Sequence, residues 1–212
     1  METIDITLPD GSKKSLPKGS NGLDLAKSIG PGLAKDAVAV VVNNEQRDLS
    51  DELSNNAEVS IITIKSNEGL EIMRHTLAAQ VLASAIKNLY PDAKLAIGPT
   101  IEDGFYYDFL PTKPISIDDL PNIEKEMKSI IGQSTQITKT YHSKNDAIAM
   151  FDNLDEGFKA EIINDSDQAD NFQIYAQDNS GFIDLCRGPH LPHLGFIGEF
   201  KLTKVSGAYW RG

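Results

Sequence analysis

The longest uninterrupted apolar run of the chain, residues 37–42, has six residues. That is the length of a strand and far short of the ~18 residues that a membrane-spanning helix requires. The first five residues lack the positive and apolar regions of a signal peptide, and a single cysteine among 212 residues excludes an internal disulfide framework. With 40% hydrophobic and 24% charged residues, the chain resembles a globular protein with buried cores, and we expect it to be cytoplasmic.

Residues 1–65 are predicted to form a small α/β unit. Alternating polar and apolar residues indicate the first strand, and turn residues separate it from a second. A short capped helix and two apolar, β-branched strands complete the order β-β-α-β-β. The predicted elements are strands at 3–8, 13–16, 37–42 and 59–64 and a helix at 21–29. This order is that of a β-grasp (ubiquitin-like) domain, without a cluster of residues that suggests chemistry.

Residues 66–212 are predicted to form a second, α+β domain. A long helix over residues 70–89 has an apolar face, with Leu77, Val81 and Ala85 recurring every four residues. We expect this helix to pack with others on an antiparallel sheet. The remaining predicted elements are helices at 118–131, 145–154 and 156–163 and strands at 94–97, 104–109, 136–141, 172–176, 182–185 and 200–206.

An acid, a thiol and an imidazole are close together near the end of the chain. Asp184 and Cys186 are two residues apart on a predicted strand and share a face. The turn at 188–189 is expected to bring His190 back towards Cys186. With His75 on the long helix, this set suits proton transfer, nucleophilic attack or metal binding.

These residues resemble the editing domain of bacterial threonyl-tRNA synthetases, which is related to the second additional domain of alanyl-tRNA synthetases. A helix histidine is followed by Asp-x-Cys-x-x-x-His, and the first 65 residues are similar to the TGS-type β-grasp domain of that family. The resemblance covers the whole chain. The matching segments are 96–99, 104–108, 186–190 and 207–212.

The resemblance implies that the chain hydrolyses the ester of mischarged Ser-tRNA(Thr). It implies a catalytic set and a substrate-binding set, with no metal among them. Lys159 could offset negative charge, His75 or Asp184 could orient a water, and Cys186 and His190 could position the ribose and seryl groups. The catalytic set is His75, Lys159, Asp184, Cys186 and His190. The substrate-binding set is Gly98, Tyr106, Gln80 and Arg187.

The resemblance also implies what lies outside these residues. The family continues into aminoacylation and anticodon-binding domains, so we expect the chain to be a fragment of a threonine–tRNA ligase. No cofactor is expected in this part, because ATP, magnesium and zinc are expected in the aminoacylation domain. The implied partners are the acceptor end of tRNA(Thr) and the rest of the synthetase. The resemblance also implies that the parent protein is a homodimer and that it does not bind a membrane.

The long helix departs from the family pattern, which carries His-x-x-x-His at its start. Four residues after His75 stands Ala79. If the helix is aligned from its C-terminal end instead, Gln80 takes the place of the second histidine and Thr76 that of the first. Either alignment leaves one imidazole, and a glutamine does not titrate near neutral pH. We therefore expect reduced or lost editing.

Three other functions remain open at this point: a tRNA-docking appendage without hydrolysis, a freestanding trans-editing hydrolase, and an unrelated metal-dependent hydrolase using Cys186, His190 and His75. The formal net charge of −11 argues against a large nucleic-acid surface, because phosphate binding takes clustered Lys and Arg. Residues 183–212, however, carry four basic and two acidic side chains. This segment is expected to meet the tRNA acceptor end, with weak binding and a shallow salt dependence.

Overall fold

The computed structural model describes residues 2–209, and its contacts divide the chain into two units. The first unit comprises residues 1–73 together with Gly188–Pro192, and the second comprises Arg74–Arg187 and 193–212. The division lies eight residues after the predicted boundary between residues 65 and 66, which stays a prediction. Among the described residues, no helix combines the length and the apolar character needed to cross a bilayer.

The first unit is built on a mixed sheet of five strands, and the predicted β-grasp fold is confirmed. Strand β1 pairs antiparallel with β2 and parallel with β5, and β3 lies between β5 and β4. Helices α1 and α2 lie between β2 and β3 in the chain. The bounds are β1 Thr3–Thr7, β2 Lys13–Pro17, α1 Gly22–Ile29, α2 Pro31–Asp36, β3 Ala37–Val42, β4 Glu45–Asp48 and β5 Ala57–Thr63.

Two elements of this unit differ from the prediction. The turn at Gly30 and Pro31 does not end the helical region, because proline fits the first position of a helix and here begins α2. Strand β4 was not predicted, since its four residues are all polar. It follows a two-residue turn at Asn43 and Asn44, both at positive φ, a backbone that matches the twist of a hairpin.

A continuous helical region, longer than predicted, connects to the second unit. It consists of α3 (Asn67–Thr76), a π-helical turn (Leu77–Leu82) and α4 (Ala83–Leu89). In the π turn, the Ala83 N–H donates to the carbonyl of Ala78, five residues back. All six residues of the π turn are buried.

The second unit has the predicted α+β character. An antiparallel sheet has the order β10-β11-β12, and α6 and α7 pack on it around Phe151, Ile163 and Ile174. Two two-stranded antiparallel pairs precede the sheet: β7 and β8 form a hairpin, which lies in the chain between the paired strands β6 and β9. The bounds are β6 Lys94–Leu95, β7 Thr100–Ile101, β8 Gly104–Phe105, β9 Phe109–Leu110, α5 Leu120–Gly132, β10 Ile137–His142, α6 Lys144–Asn153, α7 Gly157–Asn164, β11 Phe172–Gln177 and β12 Ile183–Leu185.

The predicted strand over residues 200–206 is wrong. The Leu202 N–H in this segment donates to a side chain, Glu124 Oε1, at 2.7 Å. Lys201 Nζ lies 3.1 Å from the other oxygen of the same carboxylate. Glu124 belongs to α5, so this segment is fixed to a helix.

Candidate active site in the second unit

A buried ion pair forms the centre of the candidate site. Lys159 Nζ on α7 lies 2.6 Å from Asp184 Oδ1 on β12, and the two side chains are 4% and 2% exposed. Strand β12 buries only its central residue, Asp184. The carboxylate also accepts hydrogen bonds from the Tyr107 hydroxyl at 3.1 Å and from the Leu185 N–H at 2.8 Å. Three donors therefore hold this carboxylate in one position.

The start of α7, which carries Lys159, is fixed by a second buried carboxylate. Glu156 directly precedes the helix and forms an ion pair with Lys87 at 2.7 Å. It also accepts the Leu95 N–H at 2.7 Å, and its own carbonyl accepts the Lys159 N–H at 3.0 Å. Lys159 is therefore placed by hydrogen bonds at the helix start as well as by its partner Asp184.

Burial dominates the electrostatics of the pair. Removal of the Asp184 carboxylate from water raises its pKa, although the Lys159 charge and the hydrogen bonds from Lys159, Tyr107 and Leu185 oppose the shift. Burial also raises the pKa of Tyr107 well above its ordinary value, and the Asp184 charge adds to this effect. The Tyr107 hydroxyl consequently keeps its proton and acts as a hydrogen-bond donor.

The ring of Tyr107 packs between Lys159 and Gly98. Lys159 Nζ lies 5.6 Å from the ring centroid, within range of a cation–π interaction. A Cβ atom added at Gly98 would lie 2.3 Å from Tyr107 Cδ2, so this position requires glycine. The predicted substrate contact of Gly98 stays a prediction, and the contact described here is with Tyr107.

His75 and Cys186 form the second pair of the site. His75 Nε2 lies 2.7 Å from Cys186 Sγ, and both residues are half-buried. His75 is in the last turn of α3, and Cys186 directly follows β12, where its N–H donates to the carbonyl of Gln173 at 3.3 Å. Imidazole and thiolate are also donors that zinc prefers. The expectation of no metal stays a prediction.

A cleft of about 230 Å³ lies beside these pairs. Its wall includes Lys159, Cys186 and Arg187. Two residues of the predicted catalytic set and one residue of the predicted substrate-binding set therefore border the same space. At ~30 Å³ per molecule, this volume corresponds to about eight waters. Its other lining residues are Ile97, Ile162, Ser166, Gln168, Phe172, Gln173 and Leu185.

Gln80 lies in the π turn and is fully buried. Gln177 Nε2 donates to the Gln80 carbonyl at 2.8 Å and lies 3.4 Å from Gln80 Oε1. Over residues 2–209, Gln80 Nε2 has no hydrogen-bond partner. An unpaired donor at such a position costs about 1–3 kcal/mol, and this makes Gln80 an unusual residue of the second unit.

The structure places the remaining predicted residues as follows. Tyr106 is 43% exposed, and its N–H donates to the Pro99 carbonyl. His190 belongs to the short segment that groups with the first unit, where its N–H donates to Asp48 Oδ1 at 2.9 Å. The second unit thus contains four of the five predicted catalytic residues. Their catalytic roles stay predictions.

Sequence reasoning missed Tyr107 and Gln177 as site residues. Tyr106 and Tyr107 are adjacent and chemically identical, and only the direction of each side chain, buried for Tyr107 and exposed for Tyr106, separates them. Gln177 is the last residue of β11 and is 2% exposed. A buried glutamine needs a hydrogen-bond partner, but the strand predicted at 172–176 ends one residue before Gln177, so no sequence signal indicated its burial.

Two parts of the chain match known domain families. Residues 4–63 match the TGS domain, and residues 173–209 match the threonyl and alanyl tRNA synthetase second additional domain. The first match covers the β-grasp sheet. The second begins in β11 and includes Asp184 and Cys186.

The whole chain is also similar to proteins named threonine–tRNA ligase. It is 47% identical over 212 residues to that of Citrifermentans bemidjiense, covering 100% of this chain and 33% of the relative. It is 46% identical over 209 residues to the threonine–tRNA ligase of Francisella tularensis subsp. holarctica, covering 99% of this chain and 32% of the relative. It is also 46% identical over 212 residues to that of Geobacter sp. strain M21, covering 100% of this chain and 33% of the relative. The chain spans about a third of the length of these relatives.

Proposed function

Because the chain belongs to the threonine–tRNA ligase family, we propose that it is the proofreading part of such a ligase. In this proposal the second unit hydrolyses the seryl ester of Ser-tRNA(Thr). The observation that carries it is the cleft with Lys159 and Cys186 in its wall, bordered by the contact between His75 and Cys186. ATP, magnesium and zinc would then serve aminoacylation outside these 212 residues.

The reaction joins a water oxygen to the carbonyl carbon of the seryl group. The bond between that carbon and the ribose oxygen breaks, and the electron pair leaves on the ribose oxygen. One proton of the water passes to that oxygen, and the products are free serine and a tRNA with an intact terminal diol. Negative charge develops on the carbonyl oxygen during attack, so a fixed cation or donor beside it accelerates the reaction.

The residues divide this work according to their surroundings. Lys159 is the cation in the cleft wall and offsets the developing charge. Asp184 is a positioning residue, because its carboxylate is buried and occupied by Lys159, Tyr107 and Leu185. His75 orients the attacking water, and Cys186 positions the ester beside it.

The size of the cleft agrees with a small aminoacyl group. Serine and threonine differ by one methyl group, which is worth only about 1–3 kcal/mol in a binding pocket. A second, hydrolytic site therefore improves fidelity, provided that it accepts serine and rejects threonine. A cleft of about 230 Å³ is below the ~300–1,000 Å³ of ordinary ligand pockets and is suited to the seryl end rather than to a whole nucleotide.

We expect hydrolysis to be slower than in a relative with two helix histidines. His75 is followed by Ala79 and Gln80, so a single imidazole is available on this helix. The same observation favours a second candidate function, in which the cytoplasmic protein docks the tRNA acceptor end through residues 183–212 without hydrolysing the ester.

Single-turnover deacylation with protein in excess over Ser-tRNA(Thr) and Thr-tRNA(Thr) tests the proposal. We expect selective loss of the seryl ester, slowed at least about tenfold by His75→Ala or Cys186→Ala, in line with the loss of one contributing group. His142→Ala is the matched control, because His142 lies in β10 and contacts Thr140, and it should retain the wild-type rate. No hydrolysis by the wild-type chain would leave only the docking function.

A further inference from the structure

The sheet of the second unit has one face that helices α6 and α7 do not cover. These helices pack on the other face, where Ile174 is buried against them. On the uncovered face, Tyr141 of β10 pairs with Gln173 of β11, and Lys139 pairs with Tyr175. Residues paired directly across antiparallel strands point to the same side of a sheet, so these four side chains share one face.

This face continues into the wall of the candidate cleft. Gln173 lines the cleft, and its carbonyl accepts the Cys186 N–H at 3.3 Å. Its side-chain Oε1 accepts the Tyr175 hydroxyl at 3.2 Å. Neighbouring strands lie ~4.8 Å apart, so Tyr141 on β10 lies directly beside a residue of the cleft wall.

Tyr141 and Lys139 combine an exposed ring with a cation. Tyr141 is 54% exposed and belongs to an edge strand of the sheet. Lys139 Nζ lies 5.3 Å from the centroid of the Tyr141 ring and 6.0 Å from that of Tyr175, within the range of a cation–π interaction. The ammonium occupies one face of the Tyr141 ring and leaves the other face for a stacking partner.

The size of the cleft indicates what that partner is. A volume of about 230 Å³ accommodates the seryl group but not the nucleotide that carries it. The nucleotide must therefore lie outside the cleft, on a neighbouring surface that accepts a base and a phosphate. Surfaces that bind single-stranded nucleic acid do this with an aromatic ring for the base and a cation for the phosphate. Tyr141 and Lys139 supply both beside the cleft wall.

We infer that Tyr141 stacks on the base of the terminal, aminoacylated nucleotide and that Lys139 binds the 5′-phosphate of that nucleotide. The inference rests on the proposed function, since it names a further contact to the same substrate. Both side chains bind and orient the nucleotide, and neither forms or breaks a covalent bond. Because stacking does not read the edges of a base, this surface accepts any terminal nucleotide.

The test uses the 212-residue chain and three stable probes in which an amide replaces the ester. They are 3′-deoxy-3′-serylaminoadenosine, its 5′-phosphate, and the same 5′-phosphate with hydrogen in place of the base. Binding is measured by calorimetry. Tyr141→Ala should weaken binding of the adenosine 5′-phosphate probe about tenfold, in the range of one base–aromatic stack, and should leave the affinity for the probe without a base unchanged. Tyr141→Phe keeps the ring and should bind as the wild type does.

Lys139→Met tests the phosphate contact. In the wild type, the 5′-phosphate should increase the affinity for the adenosine probe, and added salt should reduce this gain because it screens an exposed charge. Lys139→Met should remove both the gain and its salt dependence. His142→Ala is the matched control, because His142 adjoins Tyr141 in β10, pairs with Phe172 on the face covered by α6 and α7, and should bind all three probes normally. A thermal midpoint confirms that each variant folds.

Equal affinity of the wild type for the probes with and without a base would overturn the inference, and so would normal binding by Tyr141→Ala. Binding of none of the probes, or a phosphate gain that persists in Lys139→Met, would also overturn it. Deacylation of Ser-tRNA(Thr) separates these outcomes from the proposed function. Tyr141→Ala should raise the protein concentration that gives the half-maximal rate and leave the maximal rate unchanged. Hydrolysis with identical concentration dependence in the wild type and Tyr141→Ala would overturn the inference alone, whereas normal probe binding without any hydrolysis would overturn the proposed function alone.

Discussion

The Lys159 ammonium and the Asp184 carboxylate are in contact at 2.6 Å, and both side chains are almost completely withdrawn from water. Neither charge is stable at such a position without the other, because the desolvation of each ion costs several kcal/mol. The pair therefore fixes α7 against β12 within the second unit and holds Lys159 at the cleft wall.

Lys159→Met should lower the free energy of unfolding by about 3–5 kcal/mol, because it leaves the Asp184 carboxylate buried without its cation. The double variant Lys159→Met, Asp184→Leu should recover much of this loss, since an apolar pair of similar volume is tolerated where a single charge is not. Urea unfolding of the wild type, both single variants and the double variant gives the coupling energy. Simple addition of the two single effects would contradict the interpretation.

Tyr107→Phe should destabilise the second unit by about 1.5–3 kcal/mol, the value of a hydrogen bond to a charged group. The hydroxyl that it removes donates to Asp184 Oδ2 at 3.1 Å. Tyr106→Phe is the matched control in the neighbouring position, where the side chain is 43% exposed, and it should change the unfolding free energy by less than about 0.5 kcal/mol. Similar effects in the two variants would show that the hydroxyl contact with Asp184 contributes little.

The pH dependence of stability should include a contribution from His193. Partial burial lowers the pKa of this imidazole, which stacks on Phe196 with ring centroids 4.4 Å apart. Between the lowered folded pKa and the unfolded pKa of about 6.5, the unfolded chain binds more protons than the folded one. The contribution of His193 to the stability is therefore fully present above about pH 6.5, and it is lost as the pH falls through the folded pKa of this imidazole.

Thermal unfolding between pH 7.5 and pH 5 checks this prediction in the wild type and in His193→Gln. The glutamine variant should lose less stability over the same interval, because it has no imidazole to protonate on unfolding. Parallel pH profiles for the two proteins would exclude His193 as a source of acid sensitivity.

The parts of the fold that the sequence predicted well are those with a strong local pattern. The apolar, β-branched residues of β3 can be buried only in a sheet, and the long helix repeats its apolar residues over many turns. Strand β4 escaped prediction because its polar sequence reflects an edge position. The strand predicted over 200–206 is absent, and the Leu202 N–H in that segment donates to Glu124, which is distant in the sequence.

The candidate site shows the same division between local and distant information. Asp184 and Cys186 were recognised as candidates because they are two residues apart in the sequence, and their shared role stays a prediction. The contact of Tyr107 with Asp184 joins residues 77 positions apart, and that of Gln177 with Gln80 joins residues 97 apart. The π turn was not predicted, because the apolar repeat of the long helix does not distinguish a π hydrogen bond from an α-helical one.

Gly98→Ala should displace the ring of Tyr107, because the new Cβ would lie 2.3 Å from ring atom Cδ2 and 2.8 Å from Cε2. A crowded substitution of this kind typically costs about 1–3 kcal/mol. Gly104→Ala is the matched control in the next hairpin strand, where an added Cβ meets nothing within 4 Å, and it should cost less than about 1 kcal/mol. Urea unfolding of the two variants makes the comparison. In the Tyr107→Ala background, Gly98→Ala and Gly104→Ala should lower the free energy of unfolding by nearly the same amount, because the ring that Gly98 accommodates is gone. A larger loss that persists at residue 98 would show that another neighbour requires glycine there.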